Sequence, residues 1–549
     1  MTVKNLPEQL YLSRQSRMFA QKAARSIVEV QPNINNTADT VILLECLGYQ
    51  IETLAQHGFV DYHALANYVC NFLDVYEMRQ KSAEYYIKYF SMEIPKISKR
   101  VEESIGLIFP GLGAIALLFF TGVSLWMAIG LPIKTTTAFV LGVFLGVVIT
   151  AGTLQVIDKS FLYYYEQTNR SEIKRLLRRN YCMTGIILLM ATGIICTIGY
   201  VEKISFHLLS LIIISMVTIS FHRTSYMIIY ALKKIRVLIV SYSLAFATLL
   251  SLYYFGQYFI PSGITRYFAS LVSAFVILSI FSIYQHYKLV TQSMEPSGEK
   301  PHFYKPPSIT KKTIRSNFGV QLWESVPYSL FSVSYFLMMF SDRVLSWIYN
   351  PVLLNGNLGL PMAFNSAYHI GADMALIVLM PASIIQYVIM MPIHMILNNI
   401  NIRTKISQQS SINVFIQRMY RKVMLVSLVS SVATAVILNL LVSTMMIHAG
   451  ITPTSISVLR IASIANVFIC VFGANGLFLA WLNKTKFLLI VVMMSLVIVL
   501  TYGILSDHRE LQNLTLGYLA ASLFAAITST IYTNKTLKRA ASIIFARSY

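Results

Sequence analysis

Charged residues are scarce in this sequence. Asp, Glu, Lys and Arg make up 12% of its 549 residues, about half of the share in a soluble globular protein. The apolar residues form many separate runs of about 20 residues, the length of helix that crosses a bilayer. This composition excludes a soluble protein with only one or two membrane anchors. It predicts an all-α, polytopic membrane protein.

The motifs of several enzyme classes are also missing. The five cysteines are scattered, with no CxxC pair and no disulfide spacing. The sequence has no GxxxxGK[ST] loop for nucleotide phosphates and no HExxH or paired Cys/His cluster for a metal. A membrane acyltransferase would need a buried histidine, and His369 or His394 could be offered without a supporting motif. We therefore expect no enzyme activity, no cofactor and no metal.

Positive charge is the exception to this scarcity. The formal net charge is +21, yet residues 1–104 hold 11 Lys and Arg against 12 Asp and Glu. The whole excess therefore lies in residues 105–549, in short connections between apolar runs. Strongly basic chains can bind nucleic acid, but basic loops of this kind also mark the cytoplasmic side of a membrane protein. We interpret the charge as topogenic and expect no nucleic-acid partner.

The apolar runs predict about twelve transmembrane helices in two bundles of six. Between the bundles lies a connector with four prolines and several basic residues, typical of a flexible linker. The predicted spans are residues 105–131, 135–156, 181–200, 208–230, 237–259, 267–287, 326–348, 367–396, 424–447, 455–481, 487–504 and 515–532. The corresponding domains are residues 1–104 (a helical cytoplasmic domain), 105–287 (first bundle), 288–322 (linker), 323–534 (second bundle) and 535–549 (basic cytoplasmic tail).

The connections alternate between basic and nearly uncharged. Basic residues gather after the second, fourth, sixth, eighth and tenth spans and in the tail. The other connections contain few of them: Lys134, Lys203, Arg266 and Arg509. By the positive-inside rule, this alternation predicts cytoplasmic N- and C-termini in a multi-pass protein of the cytoplasmic membrane, in contact with its lipids. In the long second connection, residues 158–180, we expect either an amphipathic helix on the lipid headgroups or a solvated helix.

The first 104 residues have the pattern of an amphipathic helix pair. Asp39 can cap a helix that continues to Gly58, and Asp61 can cap the next one. Apolar residues recur in both at intervals of three and four. His57 and His63 lack metal-ligand spacing. The segment is therefore predicted to pack or to dock a partner, such as a cytoplasmic glycosyltransferase or synthase subunit.

Ionisable residues inside the spans are the candidates for function, because a charge in hydrocarbon is costly unless it is paired or hydrated. His369 and Asp373 are four residues apart and share a helix face. They could relay protons or hold a sugar hydroxyl, or form a pair near the outer rim. Asp342 and Arg343 are adjacent, so we do not expect them to face each other, and they could line a cavity or lie at the outer interface. The candidate cavity residues are Glu324, Asp342, Arg343, His369, Asp373 and Arg460, with His222 and Arg223 also inside a span.

Prolines interrupt two of these spans. Pro381 and Pro392 are predicted to break the eighth helix and Pro110 the first. Interrupted helices are common in transporters, where the freed carbonyl groups line a cavity, although plain bundles also tolerate them. Two bundles of six spans with a linker are typical of transporters. Major facilitators, however, have a short loop after the second span, which the long connection here does not match.

Four segments resemble the PelG-like exopolysaccharide exporters of the multidrug/oligosaccharidyl-lipid/polysaccharide (MOP) flippase superfamily. They are DKSFLYYYEQTNRSEIKRLL after the second span, SLIIISMVTISFHRTSYMIIYALKKIR in the fourth, YSLFSVSYFLMMFSDRVLSWIY in the seventh and FNSAYHIGADMALIVLMPASIIQYVI in the eighth. The resemblance covers about residues 105–540. The chain departs from that family in two ways. Residues 1–104 are additional, and the family's usual acidic residue late in the eighth span is replaced here by Met390 or His394.

The resemblance implies two six-helix bundles around a central cavity and transport by alternating access. The substrate expected from it is a polysaccharide or its lipid-linked precursor. Arginines could hold its anionic groups, and buried carboxylates could take up protons. Two alternatives remain open: a multidrug or small-lipid exporter of the same superfamily, and a non-transporting scaffold of a polysaccharide synthase complex.

Overall fold

The structure is a computed structural model of the chain. It describes residues 14–30, 37–79, 97–127, 130–166, 170–291, 318–355, 360–390, 409–445, 452–506 and 510–545. Within these ranges the regular structure is helical and contains no β-strand. The predicted all-α fold class is therefore confirmed.

The helices are numbered in chain order. The first four are α1 (Arg14–Val30), α2 (Thr37–Cys46), α3 (Ile51–Gln56) and α4 (Tyr62–Arg79). The next six are α5 (Ile97–Thr121), α6 (Ile133–Glu166), α7 (Arg170–Val201), α8 (Phe206–Ala231), α9 (Ile235–Phe255) and α10 (Gly263–Thr291). The last seven are α11 (Phe318–Ile348), α12 (Ser366–Ala375), α13 (Gln409–Met445), α14 (Pro453–Trp481), α15 (Thr485–Leu505), α16 (Gln512–Leu537) and α17 (Ala540–Phe545).

By its internal contacts the chain divides into two units. One unit is Met1–Pro95, Met390–Met419 and Thr536–Tyr549, and the other is Lys96–Ile389 and Tyr420–Lys535. The proposed division into five domains stays a prediction, although its boundary at residues 104 and 105 falls inside α5.

In the first unit, α1 to α4 enclose a small apolar core that includes Ala23, Ile27, Leu54 and Leu65. Asp61 caps α4 as predicted, since its Oδ1 accepts a hydrogen bond of 2.7 Å from the backbone N–H of Ala64. The predicted cap at Asp39 is wrong.

The reason is that α2 already begins at Thr37, so Asp39 lies in its first turn. The helix predicted to run from there to Gly58 is also interrupted. Gly48 has a φ of 79°, a left-handed conformation that ends α2 and that glycine adopts without steric cost.

Eleven helices of the described chain are long and apolar enough to cross a membrane. They correspond to every predicted span except the seventh, which is α11. This helix is long enough but more polar, because it carries six serines beside Asp342 and Arg343. The chain is thus a multi-pass membrane protein, and the prediction of about twelve spans agrees with eleven such helices and α11.

The first predicted span is misplaced. It was expected at residues 105–131, but α5 runs from Ile97 to Thr121 and ends at Gly122, whose φ is 71°. The following apolar segment folds back onto the bundle. The backbone oxygen of Ser124 accepts a hydrogen bond of 3.1 Å from the Tyr267 hydroxyl, and the Ser124 hydroxyl donates to the oxygen of Ala114 at 3.0 Å. Hydropathy could not separate this segment from the span, because both are apolar.

The described residues of the segment 158–180 form no separate helix, neither of the interfacial nor of the solvated kind. Instead, α6 continues to Glu166 and α7 begins at Arg170, so most of the segment extends two spanning helices. Neither proline nor glycine occurs there to end a helix. Glu172 and Arg175 form an ion pair one turn apart in the first turns of α7.

Two of the prolines that were predicted to break helices lie in the described residues. Pro110 leaves its helix intact, and Pro381 follows a tighter, 3₁₀ turn. Pro110 lies inside α5. After Ala375 the chain passes through a 3₁₀ turn, Leu376–Val378, and remains helical to Met390. Pro381 follows that turn and has no N–H to donate to Ile377, which favours a local change of hydrogen bonding. Pro392 lies outside the described residues.

Glycines allow the closest helix contacts in the second unit. A Cβ atom at Gly142 of α6 would lie 2.0 Å from Ser215 Oγ and 2.3 Å from the Ile212 oxygen of α8. Gly146, one turn along, would meet the Met216 oxygen at 2.7 Å. Such a small-xxx-small pair lets two backbones approach in a membrane protein.

Candidate functional site

A cluster of charged side chains is buried in the second bundle, with Arg343 of α11 at its centre. The Nε and Nη2 atoms of Arg343 each lie 3.2 Å from Oδ1 of Asp373 on α12. Its Nη1 lies 3.5 Å from Oδ1 of Asp342 and donates to the Met339 oxygen at 2.9 Å. Asp342, Arg343 and Asp373 are exposed by 1%, 2% and 3%. The adjacent Asp342 and Arg343 therefore do make an ion pair, contrary to expectation, because the long guanidinium side chain bends back.

Asp342 is held from a second direction by tyrosine. Its Oδ2 accepts a hydrogen bond of 2.8 Å from the Tyr368 hydroxyl, which in turn accepts one of 2.9 Å from Thr515 of α16. By contrast, its Oδ1 has no hydrogen-bond donor within the described ranges, only the longer contact with Arg343. Three helices thus converge on one carboxylate that is incompletely satisfied.

His369 occupies the other end of the cluster. Its Nδ1 lies 3.0 Å from Oδ2 of Asp373, one turn along α12, as their spacing predicted. The imidazole stacks on Trp347, with ring centroids 5.8 Å apart. The register of α12 is set by Asn365, whose Oδ1 caps the helix by accepting from the N–H of Tyr368.

The formal charges of this cluster do not cancel. Two aspartates and one arginine leave one negative charge in excess when His369 is neutral. An uncompensated charge inside the membrane is costly.

Two of the six candidate residues lie apart from this cluster. Glu324, near the start of α11, and Arg460, on α14, are both exposed. Tyr368 and Thr515 also belong to the cluster, but they are uncharged, and charge was the signal by which the candidates were chosen. Tyr368 could have been found from its place beside His369 in the same span. In the part of the chain that the structure describes, no group of His, Cys, Asp or Glu could hold a metal ion.

A cavity of about 430 Å³ lies in the first bundle. It is formed by α5, α6, α8, α9, α10 and the segment that folds back after α5, which contributes Leu125 and Trp126. The two ionisable residues noted in the fourth span, His222 and Arg223, both line it. The His222 Nε2 is 2.8 Å from the Tyr242 hydroxyl, and Nη1 of Arg223 donates to the Val147 oxygen at 2.7 Å.

No family model and no curated protein matches the sequence of the chain. Solved structures do match its fold. One is a MOP-superfamily transporter from Pyrococcus furiosus described as having a binding pocket of reverse polarity. It has a TM-score of 0.56 and 13% identity over 81% of this chain and 97% of that one.

Two structures described as MATE proteins have comparable TM-scores. An outward-facing multidrug resistance MATE transporter has a TM-score of 0.52 and 12% identity, over 84% of this chain and 97% of that one. A MATE protein in complex with MaL6 has a TM-score of 0.54 and 12% identity, over 82% and 98%. The chain has the fold of a MOP-superfamily transporter. At such low identity the likeness establishes the MOP fold alone, and the PelG-like assignment stays a prediction.

Proposed function

We propose that the chain is a membrane exporter that moves a polysaccharide or its lipid-linked precursor across the cytoplasmic membrane by alternating access. The observation that carries the proposal is the buried cluster of Asp342, Arg343, His369 and Asp373 within a MOP fold. Stability alone gives little reason to keep such a cluster, because buried ion pairs rarely gain over apolar packing. The cluster would have a function in transport if its protonation changed as the two bundles move.

The first-bundle cavity supports an anionic or hydroxyl-rich substrate. The described residues that line it include Arg223 and His222 but no Asp or Glu. A cationic drug would find no carboxylate there, only aromatic rings such as those of Trp126 and Phe275. Tyrosines and one arginine suit sugar hydroxyls and anionic groups instead.

The experiment compares polymer export by cells that carry wild type or Arg343→Gln with Asp373→Asn, at equal membrane levels. We expect the double variant to insert and to lose most export, because it keeps polar side chains at both positions but removes the charges of Arg343 and Asp373. Arg421→Gln is the matched control and should export normally, since Arg421 is exposed on α13 and outside the cluster. Normal export by the double variant would contradict the proposal.

A multidrug exporter is the second candidate, because two of the structures with this fold are described as MATE proteins. Efflux of a cationic dye from the same cells separates the two. Dye efflux that needs Arg343 and Asp373, together with unchanged polymer export, would favour drugs.

The scaffold alternative predicts a different pattern. Deletion of residues 1–95, which leaves α5 whole, would abolish polymer production, and the charge variant would not. Co-purification of a synthase subunit with the full chain but not with the deletion would support docking at that segment.

A further inference from the structure

The first-bundle cavity combines apolar walls with one concentrated polar edge. Its volume of about 430 Å³ is in the lower half of the range for small-molecule sites. Such a space holds one headgroup-sized moiety and not a length of polymer. The polar edge is formed by α8 and α9, and its residues are His222, Arg223, Tyr226, Tyr230 and Tyr242.

Most hydrogen-bond donors of the Arg223 guanidinium are unused at this edge. Of the five N–H donors of a guanidinium, one is used, in the bond to the Val147 oxygen. The guanidinium also lies over the Phe336 ring of α11, with the Cζ atom of Arg223 5.3 Å from the ring centroid. No ion pair of Arg223 occurs among the described residues. The guanidinium is therefore fixed in place and its charge is not neutralised.

His222 provides a second, independent sign of a ligand. The residue is only 8% exposed, and its Nε2 is occupied by the Tyr242 hydroxyl. Its Nδ1 is buried and has no hydrogen-bond partner within the described part of the chain. A buried polar atom without a partner loses hydration with no compensation, and such atoms are rare in folded proteins.

We propose that this edge binds the phosphate group of an amphiphilic sugar-phosphate or polyprenyl-phosphate substrate. Arg223 supplies the charge, and the planar guanidinium suits two phosphate oxygens. The Nδ1 of His222 supplies a further hydrogen bond. The apolar walls, which include Leu125, Val143 and Ile219, accept the carbon chain next to the phosphate. The proposal rests on the exporter function and narrows its substrate to a phosphate-linked lipid precursor.

The test measures binding of farnesyl diphosphate to the purified full-length protein by calorimetry in detergent. Three comparison ligands are measured in the same way. Farnesol has the hydrocarbon chain without the phosphates, inorganic phosphate has the anion without the hydrocarbon, and glucuronate is a sugar with a carboxylate. We expect farnesyl diphosphate to bind more tightly than farnesol and inorganic phosphate. Arg223→Gln should weaken its binding by about tenfold or more, the value of a charge-assisted hydrogen bond, and should leave farnesol binding unchanged.

Three further variants separate a ligand contact from a structural role. His222→Phe should weaken diphosphate binding, whereas Tyr242→Phe, which removes only the partner of Nε2, should weaken it less. Arg223→Lys keeps the charge and should bind between wild type and Arg223→Gln. Arg421→Gln, at an exposed position of α13, should bind as wild type, and thermal melting of each variant confirms folding.

Two results would overturn the proposal. Equal binding of farnesol and farnesyl diphosphate, unaffected by Arg223→Gln, would make the cavity merely apolar. Binding of glucuronate with the same dependence on Arg223, and none of the diphosphate, would assign the site to a carboxylate sugar. Binding is measured on purified protein, whereas export is measured in cells. Either binding result is therefore independent of the export test of the Arg343 and Asp373 variant, and a failed export test does not change the binding result.

Discussion

At the scale of single residues, Arg343 holds two carboxylates in a dry part of the protein. It lies 3.2 Å from Asp373 and 3.5 Å from Asp342, and all three side chains are almost fully buried. Substitution of the arginine would leave both carboxylates without their cation. Breaking a buried ion pair in this way costs about 3–5 kcal/mol, much of it the penalty of the charge left behind.

We therefore predict that Arg343→Met lowers the melting temperature of the purified protein strongly. Adding Asp373→Asn should recover part of the loss, because one of the stranded charges is then removed. Fluorescence melting in detergent measures both, and Arg460→Met, at an exposed site, is the control and should melt near wild type. An Arg343→Met protein as stable as wild type would show that its charge is not needed to balance the carboxylates.

At the scale of secondary structure, helix contacts in the second unit depend on glycine. Gly142 and Gly146 bring α6 against α8, and Gly371 brings α12 against α14, where a Cβ would lie 2.2 Å from the Ser455 oxygen. In each case a backbone oxygen of the opposing helix would lie within 2.7 Å of the added atom, and backbone cannot move aside as a flexible side chain can. These contacts set the position of His222 and Arg223 on α8 and of Asp373 on α12.

Gly142→Ala is predicted to destabilise the protein by roughly 1–3 kcal/mol, the usual cost of overpacking, by pushing α8 away from α6. Gly185→Ala in α7 is the matched control, since nothing lies within 4 Å of its added methyl group. Alanine there should be neutral or slightly stabilising, because it favours helix. The two melting temperatures provide the comparison. The close-packing argument fails if Gly142→Ala melts no lower than Gly185→Ala.

At the scale of the second unit, the two bundles touch near both ends of their helices. At one end, the Tyr387 hydroxyl donates to Glu103 at 3.0 Å, and Lys233 lies over the Tyr387 ring at 5.2 Å. At the other end, the N–H of Phe364 donates to Thr137 at 2.8 Å. Alternating access requires one of these ends to open while the other stays closed.

A cross-link between Glu103→Cys and Tyr387→Cys, in a background without other cysteines, is predicted to stop export. A short, cleavable thiol reagent makes the link. Reduction should restore export, because α5 and the helical segment that follows α12 and contains Tyr387 could separate again. Each single-cysteine variant, treated alike, is the control and should keep exporting. Full export by the cross-linked pair would show that this end does not open during transport.

Several features followed from sequence because they depend on local composition. Helix type, the number of spans and the cap at Asp61 are set by hydropathy and by a side chain close to its own helix end. Pairing of His369 with Asp373 also followed, since a spacing of four residues fixes a shared helix face. Misplaced features had no local signal. The segment after α5 is as apolar as a span, and Gly48 divides an otherwise continuous helical pattern.

The sequence by itself determined that the chain spans the membrane many times and that a few charges lie within its helices. Only the tertiary structure decided which charges meet. Arg343 joins Asp342 and Asp373, whereas Arg460 and Glu324 remain exposed. Packing also placed Tyr368 and Thr515 in the cluster and put His222 with Arg223 in a cavity. The physical reason is that hydropathy depends on nearest neighbours in the chain, but the partner of a buried charge comes from another helix.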